Sequence, residues 1–251
     1  MLTLKKSLGQ HFLVDEQVSE RIVATLMERP FSRLVEVGPG GGALTRYLVD
    51  LKDIELKCIE LDAEKVTYLS NRFPKLRGRI IHEDILRTPK PFDEPFTVIG
   101  NFPYNISTQI VFRIIEWKPL IETMVGMFQK EVAERIAAKE GSKTYGVTSV
   151  LVQASFDVDY LFEVPESAFN PPPKVKSAVI RFVPRQQPPP IRSEGALFQL
   201  VKAAFNQRRK TLRNATKHLF EADVLSDALF NRRAEQLSVE EFAALTFRMK
   251  G

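Results

Sequence analysis

Four apolar segments in the first half of the chain each run into a residue type that does chemistry. Leu34-Val35-Glu36-Val37 leads to Gly38, Ile54–Ile59 to Glu60, Arg79–Glu83 to Asp84, and Thr97–Gly100 to Asn101. Short, nearly continuous apolar runs separated by helical patterns read as strands buried on both faces of a parallel sheet. The carboxyl ends of such strands share one edge, so Gly38, Glu60, Asp84 and Asn101 are expected to lie together there. An α/β, Rossmann-like fold with a site at that edge is the reading these segments impose.

Each strand end has its own chemistry. Gly38-Pro39-Gly40-Gly41-Gly42 lets the backbone approach a ligand without Cβ interference, with a helix expected from about Ala43. Gly38-x-Gly40-x-x-Ala43 also fits the dinucleotide fingerprint, so this turn alone does not separate a nicotinamide cofactor from S-adenosylmethionine. Glu60 lies 22 residues past Gly38, the spacing at which a carboxylate accepts bonds from ribose hydroxyls. Asp62 is expected to cap the next helix, and Asp84 offers an acceptor for an adenine amine. His82 alternates with buried positions and reads as structural.

The loop Asn101-Phe102-Pro103-Tyr104-Asn105 places an amide, a stiffened backbone and an aromatic ring within a few residues. The Asn101 amide oxygen and a neighbouring carbonyl are suited to accept both hydrogens of an adenine N6 amine while Tyr104 stacks on the ring. Two such acceptors favour a tetrahedral nitrogen and return its delocalised lone pair for attack. Taken in isolation the segment is an ordinary strand-to-helix turn; its place after three other chemically equipped strands favours the catalytic reading.

Elsewhere the pattern is organisational. Leu4–Leu13 is a mixed basic and apolar arm suited to folding over a pocket, and Asp15 reads as the N-cap of a helix buried through Val18, Ile22, Val23 and Leu26. Phe156–Val164 and Ser177–Val183 are expected to pair antiparallel at the sheet edge. They flank the rigid Pro171-Pro172-Pro173 loop, where Phe169 is a candidate second stacking surface for a base. Pro188-Pro189-Pro190 marks a boundary, giving expected domains at 1–186 and 187–251. The second is all helical, and Ser238-Val239-Glu240-Glu241 forms a capping box at its last helix.

Charge separates the two parts. Residues 1–186 carry 25 basic and 24 acidic groups, and residues 187–251 carry 11 and 7, so most of the net +5 sits in the last quarter. Arg208, Arg209, Lys210 and Arg213 cluster in what reads as a helix, a candidate phosphate-binding face or else a solvated one. The single Cys58 excludes a disulfide framework and a cysteine zinc site, and no metal is expected. No secretory leader pattern or long uncharged run is apparent, so a cytoplasmic protein is expected.

Five motifs in order resemble the bacterial small-subunit ribosomal RNA adenine N6,N6-dimethyltransferases, the KsgA family: Gly9–Leu13, Glu36–Gly41, Asn101–Ser107, Gln129–Val132 and Phe205–Lys210. The resemblance implies a seven-stranded class I methyltransferase sheet with a small all-helical C-terminal domain. It also implies S-adenosylmethionine as donor and dimethylation of two adjacent adenosines near the 3′ end of 16S ribosomal RNA, within an assembling 30S particle. A monomer is expected. Matching motifs carry cofactor contacts to His11, Leu13, Gly38, Gly40, Glu60, Asp84 and Asn101, and chemistry to Asn101, Phe102, Pro103 and Tyr104. His11 stands where the family often has Asn. Phe102 stands where it often has Leu, and because the acceptor there is the backbone carbonyl, the side chain is expected to matter little. Three rivals stay open: a large-subunit RNA methyltransferase, a nicotinamide oxidoreductase, and a non-enzymatic RNA- or DNA-binding factor.

Overall fold

The structure, a computed structural model, describes residues 11–250. Gly9, Gln10 and the rest of the basic arm before His11 lie outside them. In chain order the elements are β1 (Phe12–Leu13), α1 (Glu16–Leu26), β2 (Arg33–Val37), α2 (Thr45–Leu48), β3 (Glu55–Ile59), α3 (Ala63–Arg72), β4 (Ile80–Ile81), β5 (Phe96–Asn101), α4 (Ser107–Glu116), β6 (Ile121–Gln129), α5 (Lys130–Ala137), α6 (Val147–Gln153) and β7 (Phe156–Val164). Then follow β8 (Phe169–Asn170), β9 (Ser177–Pro184), α7 (Glu194–Asn206), α8 (Leu212–Thr216), α9 (Ala222–Leu225) and α10 (Val239–Thr246).

Seven strands form one sheet in the order β4-β3-β2-β5-β6-β9-β7. The first five pair in parallel and β9 runs antiparallel to β6. The ion pairs Lys176–Glu163, Arg181–Asp159 and Arg185–Asp157 run in opposite chain order, as antiparallel pairing of β9 with β7 requires. Leu34, Val35, Val98, Ile99, Val125 and Met127 are all buried, as strands covered on both faces demand. The chain winds outward from β2 through β3 to β4, then returns to β5 on the other side of β2. The crevice between the carboxyl ends of β2 and β5 is therefore the topological switch point, where open α/β sheets bind ligands.

Local signals account for most boundaries. Asp15 accepts the Val18 N–H at 3.1 Å and Asp62 accepts the Glu64 N–H at 3.1 Å, capping α1 and α3. Ser238 and Glu241 complete the reciprocal capping box at 2.8 and 3.1 Å. Two expectations change. The helix after the glycine loop begins only at Thr45 and lasts one turn, because residues 40–44 are spent in turns. The strand before Asp84 shrinks to Ile80–Ile81, which leaves His82 exposed with Nε2 3.2 Å from the Leu61 carbonyl.

Packing divides the chain into two compact units. One takes in the described residues up to Ala133 together with Asp159–Pro184; the other comprises Glu134–Val158 and the described residues from Arg185. The helical unit thus recruits a segment that precedes the boundary at residue 186. The Gln153 amide donates to the Ile136 and Ala138 carbonyls, and the Arg185 guanidinium donates to the Gln153 carbonyl, stitching that segment to the later chain. Leu197, Leu200, Val201, Ala204 and Phe205 form the buried stripe of α7.

Candidate functional site

A cavity of about 430 Å³ opens at the switch point. His11, Leu13, Gly38, Gly40, Glu60 and the run Asn101–Tyr104 all line it, so four separate stretches of sequence converge there. The volume falls within the roughly 300–1,000 Å³ of small-molecule sites.

The glycine loop shapes one wall. Gly38 and Gly40 have φ of +65° and +57°, in the left-handed region that favours glycine. The Gly40 N–H donates to Glu60 Oε2 at 3.2 Å, and the Asp62 N–H donates to Glu60 Oε1 at 3.0 Å. Each carboxylate oxygen accepts two bonds, so this cradle still suits a pair of ribose hydroxyls.

A second wall comes from the N-terminal strap. Strand β1 pairs antiparallel with β8, Phe12 opposite Asn170 and Leu13 opposite Phe169. The Val14 and Asp15 amides both donate to the Ala168 carbonyl, and His11 Nδ1 lies 2.9 Å from the Pro171 carbonyl. The His11 ring stacks on Tyr104, centroids 5.6 Å apart. The Phe12 ring lies against Gly40, 3.6 Å from where a Cβ would stand.

The third wall is the loop after β5. Asn101 closes that strand, the Phe102 N–H donates to the Met127 carbonyl at 3.1 Å, and a single 3₁₀ turn at Tyr104–Ile106 leads into α4. The Tyr104 hydroxyl is 2.6 Å from Ser177 Oγ, and burial pushes its pKa up, so it remains a neutral phenol.

Two buried, charged lining residues, Glu36 and Lys65, were not among the site candidates read from sequence. Glu36 is 1% exposed, accepts the Thr45 hydroxyl at 2.7 Å, and is pushed by burial to a pKa of about 7. Its signal was present, an acid between Val35 and Val37 in a strand with no solvated face. Lys65 is 3% exposed on α3, with Nζ 5.3 Å from the Phe12 ring centroid. Nothing in its surface-like helical context marks it.

Other candidates stand elsewhere. Asp84 is not among the cavity-lining residues; its Oδ1 accepts the Leu86 N–H at 2.9 Å in a turn. Phe169, read from sequence as a second stacking surface, is 3% exposed and packs in the core cluster with Leu13, Ile22 and Val179. The cationic run is not one helix face. Arg208, Arg209 and Lys210 occupy an exposed turn after α7, and only Arg213 is helical. Arg208 donates to the Lys143 and Tyr145 carbonyls, and Arg213 to the Leu225 carbonyl. Among the described residues no cluster of His, Cys, Asp or Glu is arranged to hold a metal, and no helix is long and apolar enough to cross a membrane.

The seven-stranded sheet with its antiparallel β9, the glycine loop and the strand-end acid define a methyltransferase of the class I fold. The sequence profile described as "Ribosomal RNA adenine dimethylase" matches residues 1–249. The chain belongs to that family. It is 48% identical over 251 residues to the ribosomal RNA small subunit methyltransferase A of Cytophaga hutchinsonii, covering 98% of this chain and 97% of the relative. Its fold resembles a dimethyladenosine transferase from Plasmodium falciparum, with a TM-score of 0.80, 24% identity, and coverage of 95% and 99% of the two chains. The 23S ribosomal RNA methyltransferase ErmE superposes with a TM-score of 0.73 at 25% identity over the same shares.

Proposed function

We propose that the chain dimethylates the N6 amines of two adjacent adenosines near the 3′ end of 16S ribosomal RNA, using S-adenosylmethionine. It acts as a cytoplasmic monomer on assembling 30S particles. The observation that carries this reading is the convergence of the glycine loop, Glu60 and Asn101–Tyr104 on one cavity at the switch point.

Gly38 and Gly40 admit the donor close to the backbone, and Glu60 accepts its ribose hydroxyls. Asp84 follows the adjacent strand and is the proposed acceptor for the donor's adenine amine. His11 and Leu13, on the strap, hold it from the other side. When bound, the donor supplies a methyl group made electrophilic by its sulfonium. The Asn101 amide oxygen and the Phe102 carbonyl accept the two hydrogens of the target amine and draw it towards a tetrahedral nitrogen. Pro103 stiffens the turn, and Tyr104 stacks on the base. After the first transfer one N–H remains, so one acceptor then suffices. The alkylated amine is acidic, and its proton leaves without a strong base, in keeping with a Tyr104 phenol that stays protonated. Residues 1–186 are assigned the catalytic role and 187–251 the RNA-binding role, through the exposed basic turn after α7.

The test is incubation with labelled donor and undermethylated small subunits, followed by mass spectrometry of the digested RNA. Dimethyladenosine at two adjacent small-subunit positions is expected. Label confined to large-subunit RNA, or none in either subunit, defeats the proposal.

A further inference from the structure

We propose that the Phe102 ring, seated on a bare floor formed by Gly100 and Gly126, is the positioning element for the amine-accepting loop, which makes Gly126 a determinant of turnover. This rests on the reading of Asn101 and the Phe102 carbonyl as acceptors.

Gly100 and Gly126 are direct partners across the parallel pair β5/β6, one residue before Asn101 and Met127. Phe102 follows directly on β5, and its ring folds back over Gly100. A Cβ on Gly100 would stand 2.6 Å from Phe102 Cε1, and one on Gly126 2.3 Å from Cε2. One ring therefore spans both strands at a depth that only two cross-strand glycines permit. Phe128 closes the seat, its ring centroid 4.9 Å away, and Phe102 is left 1% exposed.

The consequence for chemistry follows from where the ring is attached. Residue 102 is held at its N–H by the Met127 carbonyl, at its side chain by the glycine floor, and on its far side by the fixed φ of Pro103. Its carbonyl lies between these restraints, so its direction has little freedom, and Asn101 is fixed with it. A ring that merely filled the core would carry no such consequence. A displacement of about 1 Å in a reacting group costs on the order of a hundredfold in rate. The side chain at 102, expected from sequence to matter little, is thus placed to set turnover.

Gly126 is the cleaner probe, since a Cβ on Gly100 would also meet the Val37 carbonyl at 2.8 Å. The Cβ of Gly126→Ala would also lie 2.9 Å from Met124 Sδ and from Phe128 Cε2, so relief by Phe102→Leu isolates the ring contact. The experiment compares Gly126→Ala, Phe102→Leu and the double variant in kcat at saturating donor and small subunits, donor affinity by calorimetry, and thermal melting. Gly126→Ala is expected to lower kcat about tenfold or more, with donor affinity within about threefold of wild type, and the double variant to recover most of that loss. A folded Gly126→Ala with wild-type kcat overturns the proposal, as does a loss that persists in a folded double variant. If Gly126→Ala does not fold, Phe102→Leu decides. Over two bare glycines the smaller side chain leaves the seat partly empty, a space the Ala methyl fills in the double variant. Phe102→Leu alone is therefore expected to lower kcat with donor affinity retained, and unchanged kcat overturns the proposal. Failure of the acceptor reading is visible separately as retained turnover in Asn101→Ala. A rescue between positions 102 and 126 alongside that result still supports the positioning role, and its absence overturns it.

Discussion

The Gly40 amide donates to Glu60 Oε2 at 3.2 Å, tying the glycine loop after β2 to the acid that ends β3. The two features that sequence spacing placed on one edge are joined by a hydrogen bond within the cavity wall. The acid therefore shapes the loop, and in the proposed function it also receives the donor's ribose.

Glu60→Ala should weaken donor binding by roughly ten- to a hundredfold, the loss of about 1.5–3 kcal/mol expected for a charge-assisted bond. Asp84→Ala should do the same if its second oxygen reaches the donor's adenine. Calorimetric titration with S-adenosylmethionine separates the two, and unchanged affinity in the Asp84 variant restricts that residue to capping its own turn.

Asn101→Ala should lower turnover roughly 10²–10³-fold while RNA affinity holds, because its amide oxygen is needed most as the amine becomes tetrahedral. Donor affinity must be measured in the same variant, since Asn101 lines the cavity. Near wild-type turnover with saturating donor and RNA would remove the amine-activation role.

Glu36 makes the fold sensitive to pH. Unfolded, its carboxyl titrates near 4.5; burial raises this to about 7 in the folded protein. Between those values the folded state binds more protons, so this residue's contribution falls as pH rises and its full cost stands above about pH 7. Glu36→Gln keeps an acceptor for Thr45 and cannot ionise. Its stability relative to wild type should rise by about 3 kcal/mol between pH 4 and pH 8. Parallel pH–stability curves for the two proteins would refute this.

What was legible in the sequence was what local chemistry controls. Asp15, Asp62 and Ser238 cap helices as their residue types predict, and strands β2, β3 and β5 follow from their apolar runs. Long-range packing was not legible. Pairing of β8 with β1 packs Phe169 in the core beside Leu13, a contact that the Pro-rich segment around it does not announce. The Phe102 seat depends on Gly126 lying opposite Gly100, a register that no single segment encodes. Segment 134–158 joins the helical unit through the side chains of Gln153 and Arg185, which no composition change announces.

The basic residues after α7 divide by their partners, and so should their variants. Arg208 and Arg213 donate to backbone carbonyls at 2.8 Å and 3.0 Å, which gives them a share in holding the helical unit together. Arg209 and Lys210 stand exposed in the turn between α7 and α8. If the turn grips phosphates, Arg209→Ala with Lys210→Ala should weaken small-subunit binding and flatten its log–log salt slope by roughly 1.4–1.8, about 0.7–0.9 per contact. Melting temperature and donor affinity should stay at wild-type values, because the proposed donor ligands all precede residue 102. Arg208→Ala and Arg213→Ala should instead lower the melting temperature, each having lost a charged donor to a carbonyl. The measurement is small-subunit affinity across a salt series, paired with thermal melting of each variant. An unchanged slope in a stable Arg209/Lys210 double variant would assign the turn to solvent and remove it from the RNA-binding surface.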